Sequence, residues 1–326
     1  MADYFSTSLV LNSPYYLRLK EYFKNKNIKT TSSLKSQAQI LENSIPIPNR
    51  YGTALGMKIE YKKSIIFVLP GVPKEVKGMI EEEILPSYLS PGLEKEKRYI
   101  TLLTTAIYES KLFEILENTI NENSDSFKVS FLPKYTGVKI RLSKRKENGD
   151  LNKFKDTVMD KIGKYVYGFD DQKIEEIIAK QLLDNGLTLA VAESCTGGYI
   201  SKKLTDISGS SSYFKGSIVA YDNSIKEEFL DISDQLLINH GAVSSKVAIE
   251  MAENIRNKFK VDIGLSTTGI SGPTGGSDDK PVGLVYIAIS TKNEKIVKKF
   301  NLIPRRKEHR NIATHTALNM LRLVIK

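Results

Sequence analysis

The 326-residue chain contains no tryptophan, a single cysteine (Cys195) and only three histidines, His240, His309 and His315. One cysteine excludes an intrachain disulfide framework, and three scattered histidines exclude a histidine-rich metal cluster. No metal and no cofactor is expected. Nothing approaches the ~18 continuous apolar residues of a membrane-spanning helix, and the stretch from Met1 to Ser8 lacks the basic and apolar regions of a signal peptide. A cytoplasmic protein without membrane attachment is the expectation. The aromatic residues do not interleave with basic ones as single-strand nucleic-acid binders require. The net charge of +10 therefore reads as a solvated lysine-rich surface with some attraction for phosphorylated small molecules, not as a nucleic-acid interface. Walker and Rossmann glycine signatures are missing as well.

What is present is an ordinary globular composition, 40% hydrophobic and 26% charged, in a chain long enough for two or three domains. In residues 1–92 an amphipathic helical stretch runs from Tyr15 to Asn25. A strand-like segment from Ile65 to Leu69 follows, then a stiff Pro70-Gly71-Val72-Pro73 turn and helical periodicity. Pro91-Gly92 and the charged run after it read as a linker. Residues 93–169 give a strand from Tyr99 to Ala106, a helix from Ser110 to Asn121, strands from Lys128 to Leu132 and Val138 to Leu142, and a helix from Leu151 to Val166. This is a small α+β unit without clustered catalytic side chains. Residues 170–326 open with a helix from about Gln172 to Asp184, with Asp170 and Asp171 where an N-cap is wanted. Strands and helices then alternate, which argues an α/β fold with a mixed, largely parallel sheet and helices on both faces.

Two turns in this last block carry the chemistry, Ala192 to Gly198 and Gly269 to Gly276. Each follows an apolar strand and is filled with glycines and hydroxyls, so neighbouring strand ends would form a pocket of N–H donors and small polar side chains. Between them lies Asp206 to Phe214, then Tyr221 and Lys226. The serines are either a helix cap and turn or a nucleophile, Ser211, with Lys226 as base and Tyr221 relaying the proton. A lysine with the ordinary pKa of ~10.4 must fall to roughly 7–8 for that task. Burial would achieve it, Asp222 would oppose it, and Glu227 and Glu228 must face elsewhere. Cys195 is the rival nucleophile, with His240 as its base, or else a packing residue. Arg305, Arg306, Lys307 and Arg310 could meet a phosphate or simply be solvated.

Taken in order, the run from Ala192 to Gly198, the segment from Asp206 to Lys226, Gly241-Ala242-Val243-Ser244, and Thr268 through Gly283 resemble the CinA carboxy-terminal domain. This is the nicotinamide-nucleotide amidase family, and the resemblance covers roughly residues 172–326. Gly52-Thr53-Ala54 and the run from Leu69 to Glu75 resemble the end of the molybdopterin-binding-like domain of CinA proteins, and residues 99–168 their KH-like middle domain. The resemblance implies a partial first domain (1–92), a KH-like domain (93–169) and an amidase domain (170–326). It implies hydrolysis of nicotinamide mononucleotide (NMN) to nicotinate mononucleotide and ammonia, in pyridine-nucleotide salvage, by a metal-free serine–lysine mechanism in a homodimer. Ser211 matches the family's nucleophile, Lys226 its general base and Tyr221 the tyrosine beside them. Ser194, Thr196, Gly197, Thr268, Gly269 and Arg306 fall at substrate-binding positions. Pro304-Arg305-Arg306 stands where the family usually has Gly-Asp-Arg. The glycine-rich phosphate and metal motifs of a full amino-terminal domain are missing, so pyrophosphatase action on ADP-ribose is not expected, whereas an exposed apolar sheet edge on residues 1–92 is. Two alternatives stay open: a nucleotide-binding competence or damage protein without turnover, and residual pyrophosphatase action.

Overall fold

The computed structural model of the chain describes residues 1–29, 33–89, 98–146 and 149–325, and the chain divides into two units, Met1–Glu96 and Lys97–Lys326. In the first unit, α1 (Ala2–Phe5), β1 (Leu9–Leu11), α2 (Ser13–Asn25), α3 (Ser33–Gln37) and β2 (Gln39–Leu41) precede β3 (Ser44–Ile47), β4 (Gly56–Tyr61) and β5 (Ser64–Val68). Then α4 (Pro73–Met79) runs into a π-helical stretch, Ile80–Leu89. The expected helix and strand are here, and α2 starts for the usual reasons. The Asn12 side chain accepts from the Tyr15 amide, and proline stands in the first turn. β1 pairs with β2, and β3, β4 and β5 form an antiparallel sheet. Ile45 and Ile65 are exposed on the two outer strands of that sheet. The expected linker at Pro91-Gly92 lies outside the described residues.

The second unit opens with β6 (Tyr99–Thr104), α5 (Glu109–Glu122), β7 (Phe127–Lys134), β8 (Gly137–Lys144), α6 (Leu151–Ile162) and β9 (Val166–Phe169). The strands form an antiparallel sheet in the order β7-β8-β6-β9. Leu112, Leu116, Phe154 and Val158 of the two helices pack on Leu102, Ile140 and Leu142 of the sheet. Here the structure corrects the sequence reading, which ran the second helix on to Val166. The helix ends at Ile162, and burial then alternates with a period of two along Val166–Phe169, which is strand spacing. Asp170 does not cap the next helix. Its carboxylate accepts from the Thr101 amide and its own amide donates to the Thr101 carbonyl, stitching the chain to β6.

The rest of the unit is α7 (Ile174–Asp184), β10 (Leu189–Glu193), α8 (Tyr199–Thr205), β11 (Phe214–Val219), α9 (Asn223–Leu230), α10 (Asp234–His240), α11 (Ser245–Phe259), β12 (Ile263–Gly269), β13 (Leu284–Ser290), β14 (Lys295–Asn301) and α12 (Arg306–Val324). The sheet order is β11-β10-β12-β13-β14. Its first three strands are parallel, as a sheet linked through helices must be. The last two are antiparallel, because β12, β13 and β14 are joined by loops that carry no crossover helix. β10 is buried on both faces: Leu189 and Val191 meet α7, α8 and α12, while Ala190 and Ala192 meet α9 and α11. A central parallel strand therefore reads as an unbroken apolar run. Among the described residues no helix is long and apolar enough to cross a membrane.

Helix α11 lies directly on β12. A Cβ on Gly264 would stand 1.9 Å from the Ala252 carbonyl oxygen and 2.8 Å from the Arg256 Cβ. Gly264→Ala should force the helix away from the sheet and cost about 3 kcal/mol. Thermal unfolding should show this as a drop of roughly 10 °C; an unchanged midpoint would mean that the helix does not sit against the strand in this way.

Candidate active site

The three parallel strands end side by side, with Glu193 in register with Val219 of β11 and Thr267 of β12. Ser194, Ala220 and Thr268 therefore stand level just beyond. The connections leave toward opposite faces, which opens a crevice at the carboxyl ends.

Glu193 is fully buried and shapes the first turn. Its carboxylate accepts from the amides of Gly198 (2.9 Å), Ile200 (3.2 Å) and Ser201 (2.9 Å) and from the Ser201 hydroxyl (2.6 Å). These are the free donors of the α8 N-terminus, where an anion is favoured. Of the turn's own amides the carboxylate takes that of Gly198, while the Gly197 amide donates to the Ser194 carbonyl and the Ser194 amide to that of Thr267. Gly197 and Gly198, both at positive φ, let the chain double back over the acid.

Lys226 is the second buried charge, 1% exposed on α9. Its Nζ donates to the carbonyls of Ala220 (2.9 Å), Tyr221 (3.3 Å) and Asp222 (3.4 Å). Burial pushes its pKa below the ordinary lysine value, while the charge of Asp222 and the neighbouring Cys195 pull the other way. Asp222 is itself engaged as the N-cap of α9, accepting from the Ser224 amide and hydroxyl at 3.0 and 2.8 Å. Glu227 and Glu228 are exposed, as their spacing demanded. Cys195 is buried, and desolvation pushes its thiol up to about 12. It is not a thiolate nucleophile, and His240 is instead bonded to Lys246.

Ser211 is where sequence and structure part. It sits in a 3-10 turn, Ser210–Ser212, ahead of the amino end of β11, and is exposed. Lys226 lies beyond the carboxyl end of the same strand. The six residues of β11 span ~20 Å, so one chain does not bring Ser211 to Lys226. The fifteen-residue spacing contains a whole strand, and that strand crosses the sheet.

Other residues do converge. The Ser194 amide donates to the Thr267 carbonyl at 2.9 Å, and its hydroxyl has no hydrogen-bond partner among the described residues. Thr196 is buried with its hydroxyl 2.7 Å from that of Thr267. Thr268 donates to the Ala242 carbonyl at 2.8 Å. Gly269 passes so close to β13 that a Cβ would stand 2.5 Å from the Leu284 carbonyl oxygen. Arg306 donates to the Tyr221 hydroxyl and, at 3.2 Å, to the Gly272 carbonyl. Arg310 stacks on the Tyr199 ring at 4.1 Å and donates to the carbonyls of Thr196 (3.0 Å) and Gly197 (3.3 Å).

One pair escaped the sequence reading. The Ser271 hydroxyl is 2.9 Å from His309 Nδ1, and His309 Nε2 is 3.2 Å from the Gly283 carbonyl. Nε2–H must donate to that carbonyl, which leaves Nδ1 to accept from the serine. Burial holds the His309 pKa below the usual histidine value. The available signal was the three-residue step from Arg306 to His309, one helical turn. Among the described residues no group of three or more His, Cys, Asp or Glu side chains could hold a metal ion.

The chain matches the CinA C-terminal domain family over residues 171–325. It is 37% identical to a CinA-like protein from Dictyoglomus turgidum, covering 98% of this chain and 79% of that protein. Identity to a CinA-like protein from Kosmotoga olearia is also 37%, over 98% of this chain and 79% of the relative. Among solved structures, the competence/damage inducible protein CihA from Agrobacterium tumefaciens is 34% identical, covers 47% of this chain and 96% of its own, and has a TM-score of 0.45.

Replacing Glu193 strips four donors of their acceptor. Glu193→Ala should cost about 2–4 kcal/mol in denaturant unfolding and should speed hydrogen exchange at Gly198, Ile200 and Ser201. Unaltered exchange at those amides would show that the acid does not hold the turn.

Proposed function

The chain belongs to the CinA family, and from its strand-end site we propose that it hydrolyses the carboxamide of NMN, releasing nicotinate mononucleotide and ammonia, with Lys226 as general base. The observation that carries this reading is the buried amine of Lys226, tied at 2.9 Å to the carbonyl of Ala220, the residue level with Ser194 on the adjacent strand. A neutral amine donates two protons and keeps one lone pair. With the protons on the carbonyls of Ala220 and Tyr221, the lone pair is free to take a proton from a hydroxyl. Ser194 replaces Ser211 as the nucleophile, since its hydroxyl stands at the same end of the sheet.

In this mechanism Ser194 Oγ attacks the carboxamide carbon as Lys226 removes its proton. The C–N bond then breaks, and that proton leaves on ammonia. Water attacks the resulting nicotinoyl ester, Lys226 takes a proton from it and returns one to Ser194 Oγ, and nicotinate mononucleotide departs. The Arg306 guanidinium, held at the rim by Tyr221 and the Gly272 carbonyl, supplies positive charge for the substrate phosphate.

A second reading draws on the same lysine. Donation to three carbonyls is also what a permanent ammonium does, and Lys226 would then be a structural clamp in a nucleotide-binding protein without turnover.

Ammonia release from NMN separates the two. Ser194→Ala and Lys226→Met should each lower kcat at least ~10³-fold, while Ser211→Ala keeps activity. The rate should rise with pH as Lys226 loses its proton, with the inflection below the ordinary ~10.4 because burial lowers that pKa. NMN binding without ammonia supports the clamp. Full activity in Ser194→Ala rejects this nucleophile, and loss in Ser211→Ala alone would mean that the hydroxyl arrives from a second copy of the chain.

A further inference from the structure

A cleft of about 910 Å³ lies in the second unit between the β7–β8 hairpin and helices α7, α8 and α12. None of the strand-end residues lines it. Lys134 and Lys139 form its hairpin wall, and Glu175, Lys203, Thr314 and His315 its helical wall. A volume of this size suits a small-molecule ligand, and such sites combine apolar surface with a few placed polar groups.

The helical wall holds buried polar atoms that have no hydrogen-bond partner among the described residues. Thr314 is 3% exposed, and its hydroxyl is one of them. A helical threonine ordinarily returns that hydroxyl to the carbonyl one turn back. The buried His315 Nε2 is likewise unpartnered, and the ring meets Tyr167, which also lines the cleft, edge-on at 5.3 Å between centroids. Burial lowers the His315 pKa to about 4, so the imidazole is neutral at pH 7 and offers one donor and one acceptor. Two adjacent buried polar groups without partners are uncommon in a native fold.

Charge on the two walls differs. Glu175 and Lys203 pair at 2.8 Å and cancel. Lys134 and Lys139 have no ion pair or hydrogen bond among the described residues, so the hairpin wall keeps two uncompensated ammonium groups. Asp171 and Glu308 stand on the α7 and α12 side, where they can accept from exocyclic N–H groups. An aromatic, hydrogen-bonding wall that faces a cationic one is the complement of a base joined to phosphate.

We propose that this cleft binds a nucleoside phosphate, its phosphates against Lys134 and Lys139 and its base against Tyr167, Thr314 and His315 on the helical wall. The site is separate from the Lys226 pocket and stands whether or not that pocket turns over NMN. It shares α12 with it: Thr314 and His315 face the cleft, and Arg306 and Arg310, near the start of the same helix, reach the catalytic turns.

Calorimetric titration of the full chain with ADP, pyrophosphate and adenosine tests this. ADP should bind saturably at one equivalent, tighter than either fragment. Lys134→Ala with Lys139→Ala should weaken ADP at least ~10-fold. The isosteric Thr314→Val should weaken ADP ~5-fold while leaving pyrophosphate unchanged, and Lys226→Met should leave ADP affinity unaltered. No saturable ADP binding at millimolar concentration, equal affinity in the double lysine variant, or loss of ADP on Lys226→Met alone would each overturn the assignment.

Discussion

Two buried charges at the ends of neighbouring parallel strands govern the second unit, and the backbone solvates both. Glu193 closes β10 and receives the amides of the α8 N-terminus. Lys226, on the helix that follows β11, gives its protons to the carbonyls where that strand ends. An ion buried without partners costs several kcal/mol. Each of these finds partners within its own turn, so the two charges need not neutralise each other. The Ser194 hydroxyl, level with the Ala220 carbonyl that receives the Lys226 amine, has no hydrogen-bond partner among the described residues. Were the acid and the lysine paired, the crevice would be closed by an ion pair and the lysine held as an ammonium.

Helix α12 sets the other side of the site. Within two turns Arg306, His309 and Arg310 contact the turns that follow β12, precede β13 and follow β10. Further along, Ala313, Ala317, Leu318 and Leu321 anchor the helix in the core under the sheet. A shift in that packing therefore moves two connections together, the one between β12 and β13 and the one that follows β10. The arrangement also explains why Pro304-Arg305 is accommodated before the helix. Arg306 takes its orientation from the Tyr221 hydroxyl and the Gly272 carbonyl, and neither contact requires an acidic neighbour at position 305.

Much of the architecture was legible in local pattern. The 3.6-residue spacing of Ile174, Ile178 and Leu182 gave α7, the amphipathic stretch from Tyr15 to Asn25 gave most of α2, and the apolar run before Glu193 reads as a strand covered on both faces. The missed element, Val166–Phe169, is short, and it continues from a helix whose apolar residues mask the change of period. The antiparallel strands β13 and β14 were identifiable as strands, but their direction depends on which loops carry helices. The site was legible in residue type at Lys226, Tyr221 and Arg306, and illegible at Glu193, which reads as an ordinary acid in a glycine-rich turn.

By itself the sequence determined many of the helices and strands, and that a lysine and several hydroxyls flank the strand ends, because side-chain period and capping chemistry act over a few residues. Tertiary structure alone decided who meets whom. β11 separates Ser211 from Lys226 by its full length, parallel register sets Ser194 level with Ala220, and burial turns Cys195 into a packing residue. Distances across a sheet and the loss of water are properties of the packed chain, and no local spacing encodes them.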